Sequence, residues 1–230
     1  MFTLDQVVPW GRSFDEYRRM FALSDADLAG RIVGCGDGPA SFNAEATRRG
    51  ARVVSCDPIY RWTGEQIRDR IRDTSRDVLE QTRRNQHEFL WTSIRTVDEL
   101  GDTRMAAMNL FLEDYGAGQA EGRYVDAELP FLPFADAAFD LALSSHFLFL
   151  YTTQLGEQLH RDAVREICRV AAEVRIFPLL MLGGAQSPYV EQHVRELPAL
   201  GLEATIEEVD YEFQRGANQM MRIRRLHQDD

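Results

Sequence analysis

Residues 31–58 read RIVGCGDGPASFNAEATRRGARVVSCDP, and the order of residue types in this stretch decides the fold class. RIVGC at 31–35 is apolar and β-branched and runs into glycines, which predicts a buried strand closing in a tight turn. Pro39 to Arg49 then carries a helix that stops at Gly50. A second buried strand, ARVVSCD at 51–57, places an acid at its C-terminal end. Strand, helix and strand in this order make a βαβ unit, the building block of a parallel sheet.

Downstream, FDLALSSHFLF (139–149) and EVRIFPLLML (173–182) flank a helix through Leu155 to Val170 and continue the alternation. A helix over Ser187 to Leu200 precedes EATIEEVDYEF and NQMMRIRR, strand-like runs joined across Arg215-Gly216-Ala217 that read as an antiparallel hairpin at the sheet edge. Two stretches fall outside this pattern. Residues 1–30 are mostly helical, with Trp10, Phe14, Tyr17 and Phe21 forming either a packing stripe or part of a lid. Residues 61–117 form a long helical insert. Ile67, Ile71, Thr74 and Val78 share one face of it, and Arg68, Arg72 and Arg76 another. Asp69, Asp73 and Asp77 lie beside the arginines, so a solvated, salt-bridged face is the expectation ahead of an anion-binding row.

A chain of 230 residues with 44% hydrophobic and 27% charged residues suits one folded domain over 1–230 and excludes a mostly disordered chain. The net charge of -11 has the wrong sign for gripping nucleic acid. All 26 basic residues are arginine. Without lysine, neither a Schiff base nor a Walker phosphate loop can form. Cys35, Cys56 and Cys168 are far apart with no neighbouring histidine, so neither a metal site nor a disulfide framework is expected. The N-terminus lacks a basic-then-apolar leader, and the longest apolar run, Ile176 to Leu182, is far short of the roughly 18 residues a membrane span needs. A cytoplasmic protein with no membrane partner is the expectation.

Gly34-Cys35-Gly36-Asp37-Gly38 falls where a strand gives way to a helix, so backbone N–H groups there can face a ligand. The dinucleotide fingerprint G-x-G-x-x-G fails, because its third glycine would fall at Pro39 or Ser41. A nicotinamide-dependent oxidoreductase is disfavoured accordingly. Asp57 comes 23 positions after Gly34, close to the spacing of an acid that accepts ribose hydroxyls. It could equally cap the segment that begins at Pro58. A third element, LPFADAAFD at 132–140, precedes a strand ending in Ser144-Ser145-His146.

With these three elements in order, the sequence resembles the class I S-adenosylmethionine-dependent methyltransferases over about residues 30–182, and through the terminal hairpin to 230. The resemblance implies an α/β, Rossmann-like sheet of seven strands, mostly parallel with an antiparallel edge strand, with the helical insert and N-terminal helix as a lid. It implies S-adenosylmethionine as cofactor, with Gly34, Cys35, Gly36 and Gly38 near its methionine part, and Asp57 and Pro58 near the ribose. Glu128 and Leu129 would sit at the adenine, and Ser144, Ser145 and His146 would border the transferred methyl. Ile32 stands where many members carry an acid, and Ala171-Ala172-Glu173 replaces a Lys-Pro-Gly-Gly-like turn. Ser145-His146-Phe147 takes the place of the Asn/Asp-Pro-Pro-Tyr tetrapeptide used on bases or glutamine, which together with the acidic charge argues for a small-molecule acceptor. His146 is the candidate base, with an ordinary pKa near 6.5, or else a strand-end histidine bonded to backbone. Trp10, Tyr17, Tyr151 and Arg215 are candidate acceptor contacts. The alternative is a non-catalytic protein that binds S-adenosylmethionine or S-adenosylhomocysteine.

Overall fold

The computed structural model describes residues 2, 4 and 7–226. Its strands are β1 (Arg31–Cys35), β2 (Arg52–Cys56), β3 (Tyr124–Val125), β4 (Phe139–Ser145), β5 (Ala171–Phe177), β6 (Leu202–Glu208) and β7 (Gln219–Arg225). They form one sheet in the order β3-β2-β1-β4-β5-β7-β6. Pairings from β3 through β5 are parallel, and β7 runs antiparallel to both β5 and β6. This is the Rossmann-like sheet expected from the βαβ unit, with the antiparallel pair at one edge. The strand order reverses between β1 and β4, and at such a switch point the crevice outside the strands' C-terminal ends is where ligands bind.

The helices are α1 (Phe14–Met20), α2 (Asp25–Ala29), α3 (Phe42–Arg48), α4 (Gly64–Arg84), α5 (Val97–Ala120), α6 (Thr152–Val170) and α7 (Pro188–Glu196). Helix α3 begins at Phe42 instead of Pro39, because the residues after β1 are spent on the glycine turn. β4 stops at Ser145 because His146 takes a left-handed φ of 53°. β5 stops at Phe177, before Pro178, which has no N–H to give the ladder.

A capping box between Ser13 and Glu16 starts α1. Phe14 and Tyr17 then stack on Phe42 of α3, with centroids 5.9 and 4.5 Å apart. Each such pair contributes about 0.5 to 1.5 kcal/mol beyond area burial, so α1 is held over the end of the sheet. In the insert, Ile67 and Ile71 of α4 pack against Met108, Phe111 and Tyr115 of α5. The opposite face of α4 is solvated, and Arg72 pairs with Asp69 at 3.0 Å. Among the described residues no helix is long and apolar enough to cross a membrane, and no group of His, Cys, Asp and Glu could hold a metal ion.

Candidate functional site

The site is built where β1 and β2 end side by side. After β1 the chain turns through Gly36 and Gly38, with φ of 72° and 52°, values that L side chains rarely adopt. Asp57, at the end of β2, clamps this turn. Its Oδ2 accepts from the Gly38 N–H at 2.9 Å, and its Oδ1 from the Ile59 N–H at 2.8 Å. Tyr60 adds a hydroxyl donated to the Gly38 carbonyl at 2.7 Å. Asp57 therefore caps the helical turn that starts at Pro58, and it also lines the crevice. A carboxylate offers about four acceptor positions, so two backbone bonds leave it able to accept more. Burial raises its pKa to about 6, with the two N–H bonds opposing and Glu128 and Asp126 adding to the rise.

The glycines serve the protein's own packing more than their spacing suggests. A Cβ on Gly34 would lie 1.8 Å from the Asp37 carboxylate, so Gly34 makes room for Asp37. A Cβ on Gly36 would lie 2.8 Å from the Phe147 ring. The immediate neighbours that these two positions stay small for are Asp37 and Phe147, and Gly36 also borders two cavities. Asp37 itself accepts from Tyr17 Oη at 2.9 Å and Ser55 Oγ at 2.6 Å. Burial raises it to about 6, against the lowering effect of those two hydroxyls. An acid set inside a glycine turn was the available sign of this buried knot.

Two cavities meet at this turn. The larger, of about 330 Å³, is lined by Gly36, Gly38, Asp57, Ser145 and His146, and by Trp10, Tyr17 and Tyr151. The smaller, of about 190 Å³, is lined by Cys35, Glu128, Leu129 and Leu132. Gly36, Asp57, Pro58 and Phe147 border both. Most of the residues singled out in the sequence thus converge on one crevice. Gly34, Ser144 and Arg215 line neither cavity. Ser144 is buried, and its hydroxyl has no hydrogen-bond partner among the described residues. Arg215 is corrected as an acceptor contact: it is exposed, its Nε donates to the His87 carbonyl and its backbone N–H to that of Glu88, tying the β6–β7 loop to the insert.

His146 lines the larger cavity, with Nδ1 2.9 Å from Ser145 Oγ and its ring edge-on to Phe177. Burial, and then the positive charges of Arg12 and Arg104, hold its pKa well below the ordinary value. The expected titration near 6.5 is therefore corrected downward, in the direction that favours the neutral ring. Arg12 and Arg104 also line this cavity, one before α1 and one within α5, and no local pattern in the sequence joins them.

No family model matches the chain. The uncharacterized protein MJ0045 of Methanocaldococcus jannaschii is 35% identical over 224 residues, covering 96% of this chain and 98% of that protein. The chain belongs to the same family as MJ0045. Among solved structures, the Burkholderia thailandensis 1,6-didemethyltoxoflavin-N1-methyltransferase, crystallised with S-adenosylhomocysteine, is similar at 13% identity and a TM-score of 0.49, over 92% of this chain and 79% of that one. Mitomycin 7-O-methyltransferase MmcR is similar at 16% identity and a TM-score of 0.48, over 92% and 53%. PH1948 of Pyrococcus horikoshii, given as a candidate RNA methyltransferase, is similar at 8% identity and a TM-score of 0.48, over 93% and 85%. With scores below 0.5, none of the three bears on the fold, which rests on the strand order, or on the molecule acted upon.

Proposed function

We propose that this chain transfers a methyl group from S-adenosylmethionine to a small-molecule acceptor. The observation that carries the reading is the pair of cavities meeting at the glycine turn and Asp57, at the switch point of the sheet. The residues present fit the cofactor. Asp57 keeps acceptor positions for two ribose hydroxyls, Glu128 and Leu129 wall the smaller cavity for the adenine, and Gly36 and Gly38 border the way to the larger one. When bound, the cofactor supplies a methyl already activated on a sulfonium. The chain's work is then to align the acceptor and exclude water. Trp10, Tyr17, Phe147 and Tyr151 enclose the larger cavity for this purpose.

For an acceptor that must lose a proton, His146 is the base. With a proton on Nδ1 donated to Ser145 Oγ, Nε2 is the accepting atom. A small acceptor is supported by the aromatic enclosure and by the net charge of -11, which opposes a polyanionic one. A non-catalytic binding protein is the second reading, favoured by Ile32, buried where an acid would otherwise meet the methionine amino group. Incubation with methyl-labelled S-adenosylmethionine and a panel of small hydroxyl, thiol, amine and carboxylate compounds separates the two. Release of S-adenosylhomocysteine with label on the acceptor is the expected result, and tight binding without turnover across the panel refutes it.

A further inference from the structure

At one end of the larger cavity two arginines, Arg12 and Arg104, gather around a single carboxylate, that of Glu16, and the methyl-transfer chemistry uses neither of them. Arg104, 1% exposed, enters from α5 and gives Nη1 to both carboxylate oxygens of Glu16, at 2.7 and 2.6 Å. Tyr211, from the β6–β7 loop, donates its hydroxyl to the same carboxylate at 2.8 Å. Arg12 reaches in beside them, with Nη1 bonded to the Trp10 carbonyl. The Nε atoms of both arginines are buried without a hydrogen-bond partner among the described residues. Two guanidinium groups thus face one carboxylate. Burial tends to raise Glu16, yet Arg104 and Arg12 overcome that and leave it at about 2. Burial, and then repulsion from Arg104, lower Arg12 to about 10. An unmatched cation out of water is costly, and an arriving anion removes that cost.

The position of the pair within the cavity identifies which molecule brings the anion. Tyr211, which donates to the shared carboxylate, has its ring edge-on to Phe177 with centroids 5.6 Å apart, and Phe177 is edge-on to His146 at 5.5 Å, just past the end of β4. Arg12 and Arg104 correspondingly lower the pKa of His146. The acidity of Asp57, at the ribose end, is instead set by Ile59, Gly38, Glu128 and Asp126. Apolar rings of Trp10, Phe147, Phe177 and Phe213 line the same cavity. We propose that Arg12 and Arg104 form the recognition site for a carboxylate on the acceptor, so that the molecule methylated is an apolar monocarboxylate. Within the cluster two guanidinium groups meet the one carboxylate of Glu16, which calls for one further negative charge, and the rings call for an aromatic or aliphatic body. The word acceptor rests on the methyl-transfer reading, whereas the anion site stands without it.

The test is calorimetric titration of the protein, with and without saturating S-adenosylhomocysteine, by benzoate and phenylacetate and by their uncharged counterparts benzamide and phenylacetamide. The acids are expected to bind at least about tenfold tighter than the amides. Arg12→Gln should remove that preference and Arg12→Lys restore part of it. Arg12 is chosen because Arg104→Gln would strip Glu16 of its main partner, and an unchanged thermal midpoint checks that the Arg12 variants are folded. Equal affinity for acid and amide, or an undiminished preference in Arg12→Gln, overturns the proposal. So does a tenfold loss of S-adenosylhomocysteine affinity in Arg12→Gln with benzoate binding intact, since the guanidinium would then hold the cofactor's own carboxylate. A carboxylate preference that depends on Arg12, in a protein that binds no S-adenosylhomocysteine, supports the anion site and refutes methyl transfer.

Discussion

Asp57 gives the sharpest test of the cofactor site, because its charge state is adjustable without mutation. Burial raises its pKa from 3.8 to about 6 in the ligand-free protein, despite two backbone N–H bonds. Accepting ribose hydroxyls requires the ionised form. If only that form binds, the dissociation constant scales as one plus ten to the power of pKa minus pH. That factor is close to one at pH 8, about two at pH 6 and about 11 at pH 5, a loss of about 1.4 kcal/mol. The stability of the ligand-free protein moves with the same group. A carboxyl raised on folding binds more protons native than unfolded between pH 4 and 6, so stability falls as pH rises through that window, by about 3 kcal/mol at most for a shift of this size. Asp57→Asn removes the binding dependence and Asp57's share of the stability dependence, leaving the share of Asp37, which is also raised to about 6. It should also weaken binding at pH 8 by roughly tenfold, because an amide accepts at one atom only. Calorimetric titration with S-adenosylhomocysteine from pH 8 to 5 measures the first effect, and urea unfolding over the same range measures the second. Affinity flat with pH in the natural protein, or a full elevenfold dependence retained in Asp57→Asn, would refute the ribose role.

Three further outcomes follow from the same geometry. Gly34→Ala places a methyl 1.8 Å from the Asp37 carboxylate, and urea unfolding should show a loss of about 2 to 4 kcal/mol as that knot is displaced; a loss below 1 kcal/mol would mean that Asp37 moves aside freely. Tyr17→Phe removes one of two hydroxyl donors to Asp37 and should cost about 1.5 to 3 kcal/mol at pH 8, where the carboxylate is charged, and clearly less at pH 5. An equal cost at both values would show that the ring, not the hydroxyl, stabilises the fold. His146→Asn should leave S-adenosylmethionine affinity unchanged and lower turnover by roughly 10² to 10⁴ if the ring is the base. Any acidic limb from this group in the natural enzyme should lie below the ordinary imidazole range, because burial and the two arginines disfavour the charged ring.

The frame of the molecule could be read from the sequence because its causes are local. RIVGC coincides with β1 as a whole, its short length, β-branched residues and flanking glycines favouring a strand over a helix. Asp57 was locatable because an acid following a buried strand must emerge at the strand's C-terminal end. The turn between them was legible in position but not in its packing: the Asp37 side chain folds under Gly34 and Phe147 packs on Gly36. Both contacts depend on a rotamer or on a residue more than a hundred positions away, and spacing carries no record of either. Arg215 sits in a loop whose partners no local pattern reveals: it lines neither cavity, and it donates to the carbonyls of His87 and Glu88, in the short helical turn after α4.

The acceptor end is harder to read because none of it is made by the sheet's own repeat. Arg104 and Glu16 are 88 residues apart, and Tyr211 and Glu16 are 195 apart. Each comes from a segment added to the alternating strands and helices: the stretch before β1, the insert between β2 and β3, and the β6–β7 loop. Only the closed chain brings them to one carboxylate. The ribose and adenine positions, by contrast, lie at strand ends that the βαβ pattern fixes in advance. If the two ends serve cofactor and acceptor as proposed, substitutions at Arg12 should shift acceptor preference while cofactor affinity stays constant. Substitutions at Asp57 should do the reverse. The division follows from topology: the cofactor end is fixed by strand ends that cannot change without disturbing the sheet, whereas the acceptor end is made by the segments added to it.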